Sequence, residues 1–394
     1  MPQQRILLLS VSAGAGHMRA AEAIRVAGET MPGSTQNDSE APFLLRHLDV
    51  MDFVSAGFRT LYTDFYIKLV NHAPALWGYL YHASDEAKTD SKREKVRQAL
   101  ERWNARLLLA ALEEFAPDGI ICTHFLPAEM LSRLIRKERL HCPVWVQVTD
   151  FDLHRLWVQE HITGYFAANE EVAWRMRAYG IAPDTIHVSG IPIMPAFGQT
   201  LERATCAREF GLDPAKTTFL LMGGGAGLGQ LDTVAETLLA QNADFQLIVL
   251  AGKNADALAA LQKLATRYPG RLLPQGFTQQ VERLMACADL VITKPGGLTS
   301  SECLAMGLPM IVNAPIPGQE ERNADYLLEQ GVAMKAFDDV TLAFRIDYLL
   351  NHPEKLADMR AKARLLGRPQ AAQTVLRQVS QDLQRKAWLD ASEG

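Results

Sequence analysis

The chain of 394 residues has no strong excess of charge of either sign. Its 40 Lys and Arg stand against 45 Asp and Glu, a formal charge of −5. That balance excludes generic nucleic-acid binding through bulk charge. Cysteine is scarce. The five present are Cys122, Cys142, Cys206, Cys287 and Cys303, none in a C-x-x-C pair and most in or beside apolar runs. This argues against a disulfide scaffold or a zinc ribbon and fits reduced thiols in the cytosol. No apolar run approaches the roughly 18 residues that a membrane span needs. The N-terminal "ILLLSV" imitates a secretion signal, but it is short and runs at once into a glycine turn, so it reads as a first buried strand.

Two nucleotide signatures are also incomplete. "SAGAGHMRAAEAI", Ser12–Ile24, follows an apolar strand and precedes a helical pattern. It has Gly14 and Gly16, but Arg19 stands where a dinucleotide fold needs its third glycine. Asp49 in "HLDV" lies farther on than the usual ribose-binding acid, which follows by about twenty residues. In "GGGAGLG", Gly223–Gly229, the following residue is Gln230, where a P-loop would carry its Lys and Ser or Thr. A nicotinamide enzyme and a nucleoside triphosphatase are both disfavoured. The turn carries His17 instead. At the positive end of a helix an imidazole is held neutral, the form that accepts a proton.

What is present is a regular alternation. Apolar runs begin at Arg5, Asp118, Pro143, Gly164 and Ile186, then at Thr217, Phe245, Arg271, Asp289 and Leu308, with helical patterns between most of them. Near-continuous apolar strands alternating with helices predict parallel sheets covered on both faces. "GIPIMPAFGQT", Gly190–Thr200, breaks the pattern with two prolines. We expect two Rossmann-like doubly wound domains facing a cleft. The N-terminal domain spans 1–195 and the C-terminal domain 196–368. A C-terminal helix over 369–394 is expected to pack back on the first domain.

Residues 53–82 hold eight aromatics, among them Phe58, Tyr62, Phe65, Tyr66 and Trp77. Their helical spacing suits a core helix or an interfacial helix that dips into lipid headgroups. Lys88–Leu107 follows with seven basic and three acidic residues. It suits a solvated face or an anionic membrane surface. In the second half, "VITKPGGLTSSECLAMGLPMIV" reads as strand, turn, helix and strand. We expect Thr299, Ser300 or Ser301 to cap that helix and Glu302 to lie in its first turn. A carboxylate there can accept two ribose hydroxyls. "APIPGQEERNADYLLEQG" places Gln319, Glu320 and Asn323 around another helix start, a set suited to binding sugar hydroxyls.

"ITKPGGLTSSECLAMGLPMIVNAPIPGQEERNADYL" resembles the donor-binding half of the diacylglycerol glycosyltransferases. These are the bacterial processive glucosyltransferases and plant monogalactosyldiacylglycerol synthases, relatives of MurG in glycosyltransferase family 28. "SAGAGHMRAAEAI" resembles that family's Gly-x-Gly-His signature. "VTDFDLHRLWVQEHITGYFAANEEVAWRMRAYGI" with "VSGIPI" resembles its middle segment. The resemblance implies a GT-B fold and an inverting transfer of hexose from a UDP-sugar to the hydroxyl of diacylglycerol. By motif, Gly224, Gly225 and Gly227 line the diphosphate, with Gly296 and Gly297 at the second turn. Gly276 and Phe277 read the uracil, Glu302 holds the ribose, and Gln319, Glu320 and Asn323 hold the sugar. His17 or Asp150 is the base, and Gly14, Gly16, His154 and Trp157 lie on the acceptor side.

No tightly bound cofactor and no metal are expected, because backbone amides and a helix N-terminus can relieve the charge of the leaving diphosphate. The expected partners are the UDP-sugar, the lipid acceptor and an anionic membrane surface, with the chain on the inner face of the cell membrane and no nucleic acid. "PGG" and "PIPGQE" lean towards the glucosyl enzymes. Two other readings remain at this point. One is the same fold acting on another lipid-linked or soluble acceptor. The other is a UDP-sugar-binding membrane protein without turnover.

Overall fold

The structure is a computed structural model that describes residues 3–12, 14–31, 42–54, 107–223, 231–241, 243–313 and 315–393. The chain divides into two compact units, residues 1–195 with 369–394, and residues 196–368.

The first unit is a six-stranded sheet. Its strands are β1 (Gln4–Ser10), β2 (Phe43–Asp49), β3 (Gly119–Cys122), β4 (Val144–Gln147), β5 (Gly164–Ala167) and β6 (Ile186–Val188), in the spatial order β2-β1-β3-β4-β5-β6. Every pairing is parallel. Helices α1 (Ala15–Thr30), α2 (Phe125–Arg136) and α3 (Glu170–Ala178) follow β1, β3 and β5. The central strands are apolar along their whole length: β3 reads GIIC and β5 reads GYFA, with every residue buried. Such strands can sit only in a sheet covered on both faces.

The second unit repeats the plan. Its strands are β7 (Thr218–Met222), β8 (Gln246–Gly252), β9 (Leu272–Gly276), β10 (Leu290–Thr293), β11 (Met310–Asn313) and β12 (Ala333–Ala336), in the order β12-β11-β10-β7-β8-β9. All of these pairings are parallel too. Its described helices are α4 (Arg203–Glu209), α5 (Leu231–Leu239), α6 (Ala255–Ala265), α7 (Val281–Cys287), α8 (Gly297–Ala305), α9 (Gln319–Glu329), α10 (Asp339–Asn351) and α11 (Pro353–Leu366). One core joins Phe219, Leu221, Leu247, Val249 and Ile292 of the sheet to Leu238, Leu261 and Ile346 of the helices.

The last helix, α12 (Ala371–Glu393), belongs to the first unit. Its Ala372, Val375, Leu376 and Val379 join Ile6, Leu8, Ile24, Trp145 and Phe166 in one buried core. Asp382 of α12 accepts a hydrogen bond from Trp145 Nε1 at 3.2 Å. The buried indole thus keeps a partner for its only donor.

The two parallel sheets match the expected fold class. Two strands were not anticipated, β2 and β12, and both are edge strands. Their residues explain this. In β2, FLLRHLD, only the first residue is buried, and in β12, AMKA, the middle two are half-buried. An edge strand needs no continuous apolar run, so it leaves a weak trace in a hydrophobicity pattern.

Candidate functional site

In a doubly wound sheet, ligands bind beyond the carboxyl ends of the strands, where the strand order reverses. In the first unit that point lies between β1 and β3. His17 is built there. The chain leaves β1 and turns at Gly14, whose φ of 133° and ψ of 131° suit glycine, and enters α1 with His17 in its first turn.

Thr123, just past β3, clamps this turn in two directions. Its hydroxyl donates to the His17 carbonyl at 2.9 Å. Its own carbonyl stands 3.0 Å from His17 Nδ1. A carbonyl can only accept, so Nδ1 carries the proton and Nε2 carries the lone pair. Thr149, just past β4, places its Oγ1 2.9 Å from the same Nδ1. Burial disfavours the imidazolium and pushes the pKa of His17 from 6.5 down to about 4, against the opposing pull of the Thr123 carbonyl. The residue keeps partial exposure while its ring is densely surrounded. His17 is therefore a neutral imidazole at pH 7 with Nε2 able to take a proton.

A second histidine packs against the first. His124 begins α2, and its Nδ1 accepts from the Leu126 N–H at 3.0 Å, capping the helix. Its ring centroid lies 4.4 Å from that of His17, edge to face. Burial first, then His17, holds its pKa well below 6.5. Phe125 and Trp157 complete the cluster, with Trp157 at 6.1 Å from His17 and 5.9 Å from Phe125 between ring centroids. Sequence reasoning missed His124. The signal was "ICTHFLP", two polar residues, Thr123 and His124, between an apolar strand and an apolar helix.

His154 and Trp157 lie on the segment after β4, and both are buried. His154 Nδ1 accepts from the Leu156 N–H at 3.1 Å, so this imidazole shapes a single helical turn. The segment is pinned from α3. Asn169 caps α3 through Oδ1, while its Nδ2 donates to the Phe151 carbonyl at 3.2 Å, and Arg175 pairs with Asp152. The apolar run that begins at Pro143 forms strand only as far as Gln147. Asp150 is half-buried and follows Thr149 directly, so both candidate bases converge on the end of β4. Asp49 ends β2, the place of the dinucleotide ribose acid, but its Oδ1 accepts from the Ser12 and Met51 N–H groups at 3.2 and 2.9 Å. It braces the turn before α1.

In the second unit the strand order reverses between β7 and β10. Lys294, Pro295 and Gly296 follow β10, and α8 starts at Gly297 with Gly296 as its N-cap. The expected cap is corrected here: no side chain caps α8, and Glu302 lies in its second turn. The Pro-Gly-Gly turn carries the chain into helix before the serines are reached. Ser301 Oγ instead donates back to the Gly297 carbonyl at 2.8 Å, the bond that a serine inside a helix makes. Glu302 is 3% exposed. Among the described residues, a Cβ on Gly296 would meet no heavy atom within 4 Å.

Gln319, Glu320 and Asn323 lie in the first turns of α9, whose N-cap is Gly318 with φ of 99°. Asn323 is fully buried. Glu320 Oε2 accepts from the Ile316 N–H at 2.7 Å and closes the preceding loop. Burial raises its pKa, opposed by that bond and by Lys294. Lys294 is thus a cation near both helix starts, and sequence reasoning passed over it. Gly276 ends β9, and the Phe277 ring is 63% exposed with Lys253 Nζ 5.4 Å from its centroid.

Gly224, Gly225 and Gly227, and the candidate membrane residues Phe58, Tyr62, Phe65, Tyr66 and Trp77, lie outside the described residues. Among the described residues, no group of three or more His, Cys, Asp and Glu could hold a metal ion. No described helix is long and apolar enough to cross a membrane.

Comparison with known proteins follows the same division. Residues 17–193 match the monogalactosyldiacylglycerol (MGDG) synthase family, and residues 218–375 match the glycosyltransferase family 28 C-terminal domain. The processive diacylglycerol beta-glucosyltransferase of Bacillus licheniformis is 30% identical over 266 residues, 67% of this chain and 69% of that protein. The chloroplastic monogalactosyldiacylglycerol synthase 3 of Arabidopsis thaliana is 28% identical over 403 residues, 96% of this chain and 82% of that protein. Two solved structures share the fold. Acinetobacter baumannii MurG has a TM-score of 0.57 at 15% identity, over 96% of this chain and 99% of that one. Anabaena HepE in complex with UDP has a TM-score of 0.55 at 15% identity, over 96% of this chain and 100% of that one. The chain is a GT-B protein and belongs to the diacylglycerol glycosyltransferases of glycosyltransferase family 28.

Proposed function

We propose that the chain is an inverting glycosyltransferase that moves a hexose from a UDP-sugar to the free hydroxyl of 1,2-diacylglycerol. Family membership along nearly the whole chain is the observation that carries this reading. The neutral His17 gives it a chemical basis. Nε2 takes the proton from the acceptor hydroxyl as that oxygen attacks the anomeric carbon. The bond from the anomeric carbon to the diphosphate oxygen breaks, and UDP leaves with the electron pair. One displacement turns an α-linked donor into a β-linked product.

The donor residues belong to the second unit. In this reading the start of α8, with Gly296 and Gly297, and the glycines 224, 225 and 227 hold the diphosphate, and Lys294 adds a positive charge near them. Preorganised donors of this kind stabilise charge as it develops. Glu302 holds the ribose, Gly276 and Phe277 the uracil, and Gln319, Glu320 and Asn323 the sugar. Asp150 is the second candidate base in this reading. Gly14, Gly16, His154 and Trp157 line the acceptor's side. Transfer without a metal is part of the same reading.

The acceptor is a membrane lipid. We place the chain at the inner face of the cell membrane, held through the aromatic segment 53–82 and the basic stretch 88–107. Glucose is the proposed sugar. The test supplies dioleoylglycerol micelles with UDP-glucose, UDP-galactose or UDP-glucuronic acid and weighs the extracted lipid. A hexose added from UDP-glucose supports the reading, and a ladder of additions shows processivity. No lipid product from any donor, with UDP binding intact, refutes it.

A further inference from the structure

The base in the proposed reaction is a ring held from behind, and two groups hold it. One is the Thr123 carbonyl, part of the backbone beyond β3, at 3.0 Å from Nδ1. The other is a side chain. Thr149 is 3% exposed, and its Oγ1 lies 2.9 Å from the same nitrogen. The geometry points to Thr149 as a positioning residue that fixes the plane of the His17 ring, whose Nδ1–H tautomer the Thr123 carbonyl selects, aims Nε2 at the acceptor hydroxyl, and ties the ring to the segment after β4 that carries Asp150. This inference rests on His17 being the base.

The argument follows from the inventory of donors and acceptors. Nδ1–H is a single donor shared by two oxygens, and neither needs to give a proton back. One acceptor leaves the ring free to swing about that bond. A second acceptor from a different strand fixes its plane. When Nε2 takes the acceptor's proton, the ring becomes positive and both Nδ1–H contacts strengthen, because hydrogen bonds from a charged donor are stronger than neutral ones. A serine-protease triad gives this task to a carboxylate. Here two uncharged oxygens do it, so the upward pull on the ring's pKa is weaker than a carboxylate's and burial still holds it at about 4.

The contact also bears on Asp150. Thr149 and Asp150 are consecutive, so a hydrogen bond from His17 to the first sets how far the imidazole stands from the second. His124 closes the ring's other side by edge contact alone. Its Nδ1 is occupied by the Leu126 N–H, so it cannot replace Thr149 through that nitrogen.

The test uses the full-length protein with dioleoylglycerol and UDP-glucose, and compares Thr149→Val with Thr149→Ser. Valine keeps the shape and removes the hydroxyl, and serine keeps the hydroxyl. Losing an orienting contact of this kind costs roughly 10- to 100-fold in activity. Thr149→Val is expected to lower kcat by about that factor, with KM for UDP-glucose and the affinity for UDP unchanged, and Thr149→Ser to stay within roughly threefold of the parent. In 15N spectra His17 shows Nδ1 protonated both in the unmodified protein and in Thr149→Val, where the Thr123 carbonyl remains, and the Nδ1–H resonance shifts on loss of the second acceptor. Unchanged kcat in a folded Thr149→Val protein, or an unmodified His17 protonated at Nε2, overturns the inference. The reading beneath it fails by a separate result, full turnover in His17→Ala.

Discussion

The depressed pKa of His17 makes a quantitative claim about rate against pH. The perturbation is acidification from pH 8 to pH 5.5. Burial of the ring in the His124, Phe125 and Trp157 cluster puts its pKa at about 4 rather than 6.5. For a pKa of about 4, the basic form is still about 97% of the total at pH 5.5. For an ordinary histidine at 6.5 it is only about 9%. The pH dependence of kcat/KM reports the free enzyme. It should therefore fall by less than roughly a tenth over that range for this group, against about tenfold for an unperturbed base. The assay is initial-rate glycolipid formation at fixed detergent and subsaturating UDP-glucose, with 13C-histidine spectra over the same pH range. A tenfold fall with a midpoint near 6.5, matched by titration of the His17 signal there, refutes the burial argument.

Other consequences follow from the same contacts. Glu302→Gln removes a buried carboxylate from the proposed ribose clamp, and charged hydrogen bonds contribute about 1.5–3 kcal/mol. UDP affinity should fall roughly 10- to 100-fold by calorimetry, and unchanged affinity would place the ribose elsewhere. Trp145→Ala opens a cavity in the core shared by the first sheet, α1 and α12, at a cost of about 3–5 kcal/mol in urea unfolding. A loss below about 1 kcal/mol would mean that α12 is not held there. Folded-state pKa values of His17, His47 and His124 lie below the unfolded value of 6.5. The unfolded chain then binds more protons below about pH 7, so stability should fall as pH drops through 6.5 towards 4. A urea midpoint that rises between pH 7.5 and 5.5 would contradict this. Transfer should proceed unchanged in excess EDTA, and a rate restored only by added divalent cation would overturn the metal-free reading.

Much of the fold was legible in the sequence because it rests on strands that must be apolar. Runs such as "DGIICT" and "DLVITK" fall on β3 and β10, the buried centres of the two sheets. Of the four edge strands, β6 and β9 were legible and β2 and β12 were not. "FLLRHLD" carries Arg46 and His47 on a strand that is mostly half-buried, so no run marks it. At the site, the glycine turns and His17 stood out because their spacing is local. His124, Thr123 and Thr149 could not be found this way. They reach His17 from positions more than a hundred residues away in sequence, and only the order β1-β3-β4 brings them together. The start of α8 was misplaced for a different reason. A serine-rich stretch invites a capping assignment, but the Pro-Gly-Gly turn begins the helix before it.

The account's central claim is a single His17-assisted displacement onto a lipid hydroxyl. Proton NMR of the first glycolipid formed from α-linked UDP-glucose and dioleoylglycerol tests it most directly, run beside His17→Ala. The account predicts a β-linked glucosyl-diacylglycerol from the parent protein and none from His17→Ala, which still binds UDP. An α-linked first product, or the same β-linked product at the parent rate from His17→Ala, would contradict it.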